Sequence, residues 1–227
     1  MKNLNILQKC SAMGLMLAVS VSGFAQTTIT DEAGLKAMAD DLSGAYVLAS
    51  DITLSGEWTP LGTEEEPFTG TLDGAGHTIK GLCITSGADN VGFFGFTEGA
   101  TVKNVRFTGA KVLGNKQVGI LAGQAISSNI ETVFTAGYLT GYDHVGGIVG
   151  DARGDANSDQ MTYITNCMST AGAFSSTYQA GVIAGWTNAG VFTNNIAYGA
   201  ATAPSGGAGG ITGMLDNDGI ASYVSNV

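Results

Sequence analysis

Histidine is the side chain that most often carries acid–base and metal chemistry, and this chain of 227 residues contains two, His77 and His144. A zinc peptidase needs two histidines one helical turn apart with a glutamate between them, and neither histidine has such a neighbour. Both lie among turn-forming residues, so we expect a structural role for His77 and a solvated loop position for His144. The sequence supports neither a zinc site nor a His-based catalytic triad.

Paired carboxylates would indicate glycosidic cleavage, which needs two carboxyl groups about 5–10 Å apart. The repeat described below predicts one outward-facing column of side chains: Lys80, Lys103, Glu131, Thr165 and Thr193. This column holds a single acid, which we expect to form a surface ion pair with Lys103 worth about 0–1 kcal/mol. Because no column of paired carboxylates emerges, we expect the chain not to be an enzyme.

A polar stretch, DARGDANSDQ (151–160), has the alternating oxygen ligands of a calcium loop. The candidate ligands are Asp151, Asp155, Asn157 and Asp159. Gln160, however, stands where such a loop needs its turn glycine, and Asn166 stands where it needs a bidentate glutamate. A solvated excursion of the chain is the favoured interpretation and calcium binding is the alternative. No other cofactor is indicated.

Aromatic side chains that share one wall of a repeat could stack on sugar rings, and the chain offers Trp58, Tyr138, Tyr142, Tyr163, Tyr178, Trp186 and Tyr198. The competing interpretation, which we favour, is that these rings fill corners of the fold. Trp186 directly follows a motif glycine and is the best candidate for an exposed ring. With Tyr178 and Tyr142 it forms the predicted ligand-binding set.

The elements that must position these residues follow from five recurring glycine stretches: VGFFGF (91–96), VGILAG (118–123), VGGIVG (145–150), AGVIAG (180–185) and AGGITG (208–213). Their closing glycines are Gly95, Gly123, Gly150, Gly185 and Gly213, separated by 28, 27, 35 and 28 residues. Recurrence at such a period predicts stacked copies of one small unit. We expect the glycines to lie where tight bends and stacked coils leave no room for side chains.

A second strip recurs half a period away, in TIKGLCI (78–84), TVKNVRF (101–107), NIETVFT (129–135), YITNCMS (163–169), VFTNNIA (191–197) and YVSNV (223–227). Its apolar positions are three residues apart, so both can face inward only if the strand bends between them. The predicted bend residues are Gly81, Asn104, Thr132, Asn166, Asn194 and Asn226, mostly types that tolerate a left-handed backbone. Stacked asparagines can also form an amide ladder, in which Thr132 would be the weakest rung.

Together the two strips predict an all-β coil that winds once per repeat, with about six coils over residues 45–227. Residues 26–44 precede it, and TDEAGLKAMADDL (30–42) has an apolar stripe at helical spacing that predicts a short capping helix.

Cys83 and Cys167 lie about three repeats apart, which is roughly 14 Å in such a stack, too far for a disulfide. We expect two free thiols.

Residues 1–25 have the pattern of a signal peptide: a basic head with Lys2 and Lys9, a short apolar core, and small residues before Gln26. The apolar run is too short to span a bilayer, so we expect export and no membrane span after cleavage. The formal net charge of −10 argues against partners that are nucleic acids or anionic membranes. An extracellular glycan or protein ligand is the partner class that remains.

The recurring G-x-[IL]-x-G motif, together with WTPLG (58–62), FTGTLDGAGHTI (68–79) and VGFFGF (91–96), resembles the GLUG-motif family of bacterial exported repeat proteins. The resemblance covers essentially all of residues 45–227. It implies a right-handed parallel β-helix and a place in adhesin-like surface proteins or in non-catalytic parts of large surface peptidases. The family motif marks structural positions and transfers no catalytic residue. The first copy departs from it, because Gly92 and Gly95 are three rather than four residues apart.

We therefore expect a secreted or cell-surface protein that acts as a non-catalytic, adhesin-like module binding a glycan or a host-matrix ligand. Two alternatives stay open from the sequence. One is a polysaccharide lyase or hydrolase built on a β-helix, and the other is a structural spacer within a larger surface protein.

Overall fold

A computed structural model describes residues 26–155, 160–216 and 223–225 of the chain. The predicted signal peptide, Asn157, Asp159 and Asn226 lie outside these residues. The chain forms a parallel β-solenoid of about six coils, as predicted, in which every strand pair is parallel. Four stacked sheets form its walls, and we number them in the order in which the chain visits them within one coil.

Sheet 1 contains eight strands, Thr27–Ile29, Ala45–Leu48, Thr71–Asp73, Thr101–Lys103, Asn129–Glu131, Thr162–Thr165, Gly190–Thr193 and Tyr223–Ser225. Sheet 2 contains nine, Ile52–Thr53, Thr78–Lys80, Cys83–Thr85, Arg106–Leu113, Phe134–Gly141, Met168–Ser169, Gly172–Ser175, Ile196–Ala197 and Ala200–Thr202.

Sheet 3 contains four strands, Lys116–Gly119, Asp143–Gly146, Ala180–Gly181 and Ala208–Gly209. Sheet 4 contains five, Phe94–Glu98, Ala122–Ile126, Val149–Arg153, Ala184–Asn188 and Thr212–Asp216.

A short helix covers one end of the solenoid, as expected, although it is shorter than the predicted 30–42. It runs from Glu32 to Ala37 and continues as a 3₁₀ turn, Met38–Asp40. Asp31 is its N-cap, and the Asp31 carboxylate accepts the Gly34 N–H at 2.9 Å. Leu35 and Met38 are fully buried against the first coil. None of the helices in the described part of the chain is long and apolar enough to cross a membrane.

The bend between sheets 1 and 2 is made by residues in the left-handed conformation. Asn104, Thr132, Asn166 and Asn194 have φ values of 53°, 54°, 55° and 55°. The apolar residues on either side of the first three of these bends, such as Val102 and Val105, are both buried, as the three-residue spacing requires. At the Asn194 bend the buried pair is Phe192 and the polar Asn195.

The expected alignment of residues 78–84 with this bend is wrong. Thr78–Lys80 belongs to sheet 2 and pairs with Arg106–Thr108, while Thr71–Asp73 is the sheet 1 strand of that coil. The bend that follows Thr71–Asp73 is longer than the later ones, because four residues, 74–77, separate its strands instead of two. Gly81 therefore lies at a later bend, where its N–H donates to Thr108, and Asp73 takes the place predicted for Lys80 beside Lys103.

The motif glycines lie where sheets 3 and 4 touch backbone to backbone. A Cβ on Gly123 would lie 2.4 Å from the carbonyl carbon of Asn90, and one on Gly150 would lie 2.4 Å from the Val118 nitrogen. A Cβ on Gly185 or Gly213 would meet backbone atoms at 2.4 and 2.6 Å. No side chain fits at such separations, so glycine at these positions sets the distance between the two walls.

The first coil is filled differently, by aromatic rings. Phe93 stacks on Trp58 with centroids 4.8 Å apart, and Phe94 stacks on Phe68 at 4.4 Å. The Trp58 indole N–H donates to the Phe93 carbonyl at 2.9 Å, so this tryptophan is a core residue. The Phe93–Phe94 pair explains why the first glycine stretch departs from the others, since two large rings replace the smaller aliphatic residues there.

Cys83 and Cys167 are free thiols, as predicted. Cys167 is buried in the core, and its Sγ accepts the Val133 N–H at 3.4 Å. Cys83 is partly exposed.

Candidate ligand-binding surface

Two columns of side chains flank the contact between sheets 3 and 4. The first column follows the motif glycines and runs Phe96, Gln124, Asp151, Trp186 and Met214, in register from coil to coil. The second column comes just before the glycine stretches, and includes Asn90, Gln117, His144 and Gln179. Because each column uses the same position of every repeat, a polar or aromatic residue there lies beside its equivalent in the next coil.

His144 and Trp186 meet where these two columns face each other. Their rings stack with centroids 5.6 Å apart and planes inclined by 14°. The Arg153 guanidinium lies over the same indole, 4.8 Å from its centroid. Trp186, the best candidate for an exposed ring, is therefore half-buried in a packed cluster, in line with the favoured interpretation that these rings fill corners of the fold.

Asp151 anchors this cluster through a buried ion pair. Its carboxylate is fully buried and accepts hydrogen bonds from Arg153 Nε at 3.0 and 2.9 Å and from Nη2 at 2.6 Å. Burial lowers the pKa of Arg153, but the hydrogen bonds and negative charge of Asp151 outweigh that effect and raise the pKa above its ordinary value. The bidentate geometry fixes the guanidinium over Trp186.

His144 occupies a strand, Asp143–Gly146, and its side chain is only 17% exposed, so the predicted solvated loop position is wrong. Its Nδ1 lies 3.7 Å from Asp151 Oδ2 and its Nε2 lies 3.7 Å from Asp143 Oδ2. Both distances exceed hydrogen-bonding range. His77, in contrast, lies in the bend at residues 74–77, where its backbone N–H donates to the Gly74 carbonyl and its ring lies 3.5 Å from Asp51, a structural position.

Tyr142 and Tyr178 form an exposed pair beside this cluster. Their exposed fractions are 43% and 44%, and their rings meet edge to face with centroids 6.2 Å apart. Tyr142 lies two residues before His144, and Tyr178 directly precedes Gln179, whose N–H donates to Asp143 at 3.3 Å. All three members of the predicted ligand-binding set thus lie along one corner of the solenoid. We call Tyr142, Tyr178, His144, Arg153 and Trp186 the corner surface.

The predicted calcium loop is not assembled around Asp151. That residue belongs to the sheet 4 strand Val149–Arg153, because it pairs in register with Trp186, and its carboxylate is occupied by Arg153. Asp155 forms an isolated antiparallel bridge with Gln160. Within the described ranges, no group of three or more His, Cys, Asp or Glu side chains could hold a metal ion. Calcium binding by Asp155, Asn157 and Asp159 stays a prediction.

Sequence reasoning identified Trp186, Tyr142 and Tyr178 but missed their partners His144 and Arg153. A signal was available for part of the cluster, since Asp151 and Trp186 both directly follow motif glycines, Gly150 and Gly185. His144 could be predicted to lie against Trp186 only if sheets 3 and 4 were known to lie face to face. The repeat length alone does not predict that contact.

No protein-family model matches the chain. A stretch of 123 aligned residues, 48% of this chain, is 39% identical to a protein named Halomucin from Haloquadratum walsbyi. The chain spans 1% of that protein's length.

Among solved structures, the chain is similar to a Bacteroides ovatus protein that is provisionally designated an immunoglobulin A1 protease. The TM-score is 0.67 and the sequence identity is 26%, over 80% of this chain and 59% of that one. The similarity extends over most of the coils described above, and this chain shares its parallel β-solenoid fold with that protein.

Proposed function

We propose that this chain is a non-catalytic, exported surface protein of the GLUG-motif family, and that its corner surface binds a glycan in the manner of an adhesin. The observation that carries the proposal is the exposed Tyr142–Tyr178 pair beside the packed Trp186 cluster. Tyrosine offers a broad apolar face with a polar tip, which suits the mixed apolar and hydroxyl surfaces of sugar rings. The Arg153–Asp151 pair keeps this corner rigid, so little entropy is lost on binding.

Export and a surface location are supported by the leader-like pattern of residues 1–25 and by the match to Halomucin, whose name likens that protein to mucins. The acidic composition suits a protein that must stay soluble outside the cell. The match covers a small part of Halomucin, so the shared solenoid would be one module of such a protein.

The designation of the Bacteroides ovatus protein raises peptidase activity as the competing function. In this chain, the group closest to a catalytic array is Asp143, His144 and Asp151. Asp151 is committed to Arg153, and the His144 ring forms no hydrogen bond to a Ser, Thr or Cys side chain within the described residues. A nucleophile activated by a neighbouring base needs such a bond, so we propose binding without catalysis.

The test is binding of the full-length chain to an array of neutral and acidic glycans, repeated with Tyr142→Ala/Tyr178→Ala. We expect retention by the wild-type chain and a loss of at least about tenfold in affinity for the double variant, because hot-spot aromatics typically contribute 2 kcal/mol or more. Tyr163→Ala is the matched control, since Tyr163 is also 44% exposed but lies on sheet 1. Absence of retention, or an equal loss in the Tyr163 variant, would refute the proposal.

A further inference from the structure

A second surface lies at the bend between sheets 1 and 2, away from the corner surface. An open cleft of about 520 Å³ follows the bend residues from coil to coil. Its lining combines amide and hydroxyl groups with apolar side chains, and includes Asn104, Thr132, Asn166, Arg106, Phe134 and Met168. The bend residues supply the polar side, while Phe134 and Met168, each the first residue of a sheet 2 strand, supply the apolar side.

Arg106 is the charged group of this cleft. Its guanidinium lies over the Phe134 ring, 4.3 Å from the centroid, and its side chain is exposed. Stacking of this kind holds the guanidinium plane in place and leaves its N–H edge directed away from the ring. Within the described residues, no carboxylate lies within ion-pair distance of Arg106.

Four other cations of the described residues are paired with nearby acids. Lys36 pairs with Glu32, Lys80 with Asp51, Lys103 with Asp73 and Arg153 with Asp151. In a protein with a net charge of −10, three described cations have no such ion pair, Arg106, Lys111 and Lys116.

Lys111 is a second such cation on the same strand as Arg106, Arg106–Leu113, and on the same outer face. It pairs in register with Tyr138, which is 50% exposed and stacks on Phe174 at 5.0 Å. At about 3.3 Å per residue, the two cations lie roughly 15 Å apart. An aromatic ring of the neighbouring strand thus lies beside each cation, Phe134 beside Arg106 and Tyr138 beside Lys111.

We infer that the outer face of sheet 2 is a binding track for an anionic saccharide, with Arg106 and Lys111 as the charge anchors. Carboxylate or sulfate groups of the saccharide would accept charge-assisted hydrogen bonds from the two cations. The sugar rings would lie on Phe134, Tyr138 and the exposed apolar edge formed by Met168 and Ile196. The inference extends the proposed glycan-binding role to a second, separate surface, so it can fail while the proposal for Tyr142 and Tyr178 stands.

The test is the affinity of the full-length chain for polygalacturonate, dextran sulfate and neutral dextran at about 0.15 M salt, where distant charges are screened over roughly 8 Å. The track variant is Arg106→Gln/Lys111→Gln. The control is Lys36→Gln/Lys116→Gln, which removes the same number of positive charges from the helix and from sheet 3. We expect the track variant to lose about tenfold or more in affinity for the anionic polymer, because it removes both cations that donate charge-assisted hydrogen bonds.

Binding to polygalacturonate alone would assign carboxylates as the ligand groups, and binding to dextran sulfate alone would assign sulfates; binding to both supports the shared anionic chemistry. Persistence of this binding in Tyr142→Ala/Tyr178→Ala would separate the track from the corner surface. Three results would overturn the inference: no binding to either anionic polymer, equal affinity for neutral dextran, or an equal loss in the control variant.

Discussion

At the scale of single residues, the bend column shows how an amide ladder is built and where it is broken. The Asn194 side-chain amide donates to Asn166 Oδ1 at 3.4 Å, and the Asn104 amide donates to Asp73 Oδ1 at 3.1 Å. Thr132 lies between Asn104 and Asn166 and has no amide to continue the column. It also holds a left-handed backbone, which costs a β-branched residue about 1–2 kcal/mol.

Replacing this residue with asparagine should stabilise the protein. Thr132→Asn removes the penalty of a β-branched residue at positive φ and supplies an amide between Asn104 and Asn166. We expect the free energy of unfolding in urea to rise by about 1 kcal/mol. Asn166→Thr is the converse variant and should lower it by a similar amount. If neither variant moves the transition, the bend residues do not limit stability.

The two thiols should differ sharply in reactivity. Burial raises the pKa of Cys167 to about 12, against an ordinary value of 9.0, although the hydrogen bond from the Val133 N–H partly opposes this rise. Because the folded pKa is the higher one, this residue's contribution to stability is present below pH 9 and is lost as the pH rises toward 12. We expect iodoacetamide at about pH 8.5 to modify Cys83 in the native protein and Cys167 only in denaturant. Peptide mass mapping measures both sites, and equal rates would contradict the buried position.

At the scale of elements, the fold depends on two walls that meet without side chains between them. Sheet 3 and sheet 4 approach so closely that the backbone of one coil meets the backbone of its neighbour at every motif glycine. Interiors packed this tightly cannot absorb even a methyl group without moving the backbone.

Gly150→Ala tests this contact directly. Its new Cβ would lie 2.4 Å from the Val118 nitrogen and 2.5 Å from the Gln117 carbonyl carbon, so the walls must separate. We expect a loss of about 3 kcal/mol in the free energy of unfolding, and unfolding of the solenoid for Gly150→Val. Gly87→Ala is the matched control, because nothing lies within 4 Å of its added Cβ. Equal stability of the Gly150 and Gly87 variants would refute the wall-to-wall packing.

The length of one coil could be predicted from the spacing of the motif glycines. The pairs of inward-facing residues at the bends could be predicted from apolar residues three positions apart. Both are local patterns in the sequence. The strand 78–80 was misplaced because the two extra residues in the bend at 74–77 shift the register without changing the local pattern. The partial burial of Trp186 was not predictable, because it depends on His144 and Arg153, which reach it only across folded walls. Local sequence patterns thus predict the fold, whereas the exposure of side chains at the candidate site depends on packing between residues that are distant in sequence.

At the scale of the whole molecule, the solenoid has one continuous apolar core, and the side chains of both candidate binding surfaces lie on its outer walls. The corner surface and the sheet 2 track lie on different walls, and each is built by repeating one position of the coil. Such an arrangement suits an extended ligand, because successive coils offer successive contacts along the stack.

We propose that the chain holds glycans without cleaving them. This can be measured by retention of the full-length chain on arrayed glycans, followed by mass spectrometry of the same glycans after prolonged incubation. We expect retention that depends on Tyr142 and Tyr178, with every retained glycan unchanged in mass. Release of shortened saccharides, or no retention of any glycan, would contradict it.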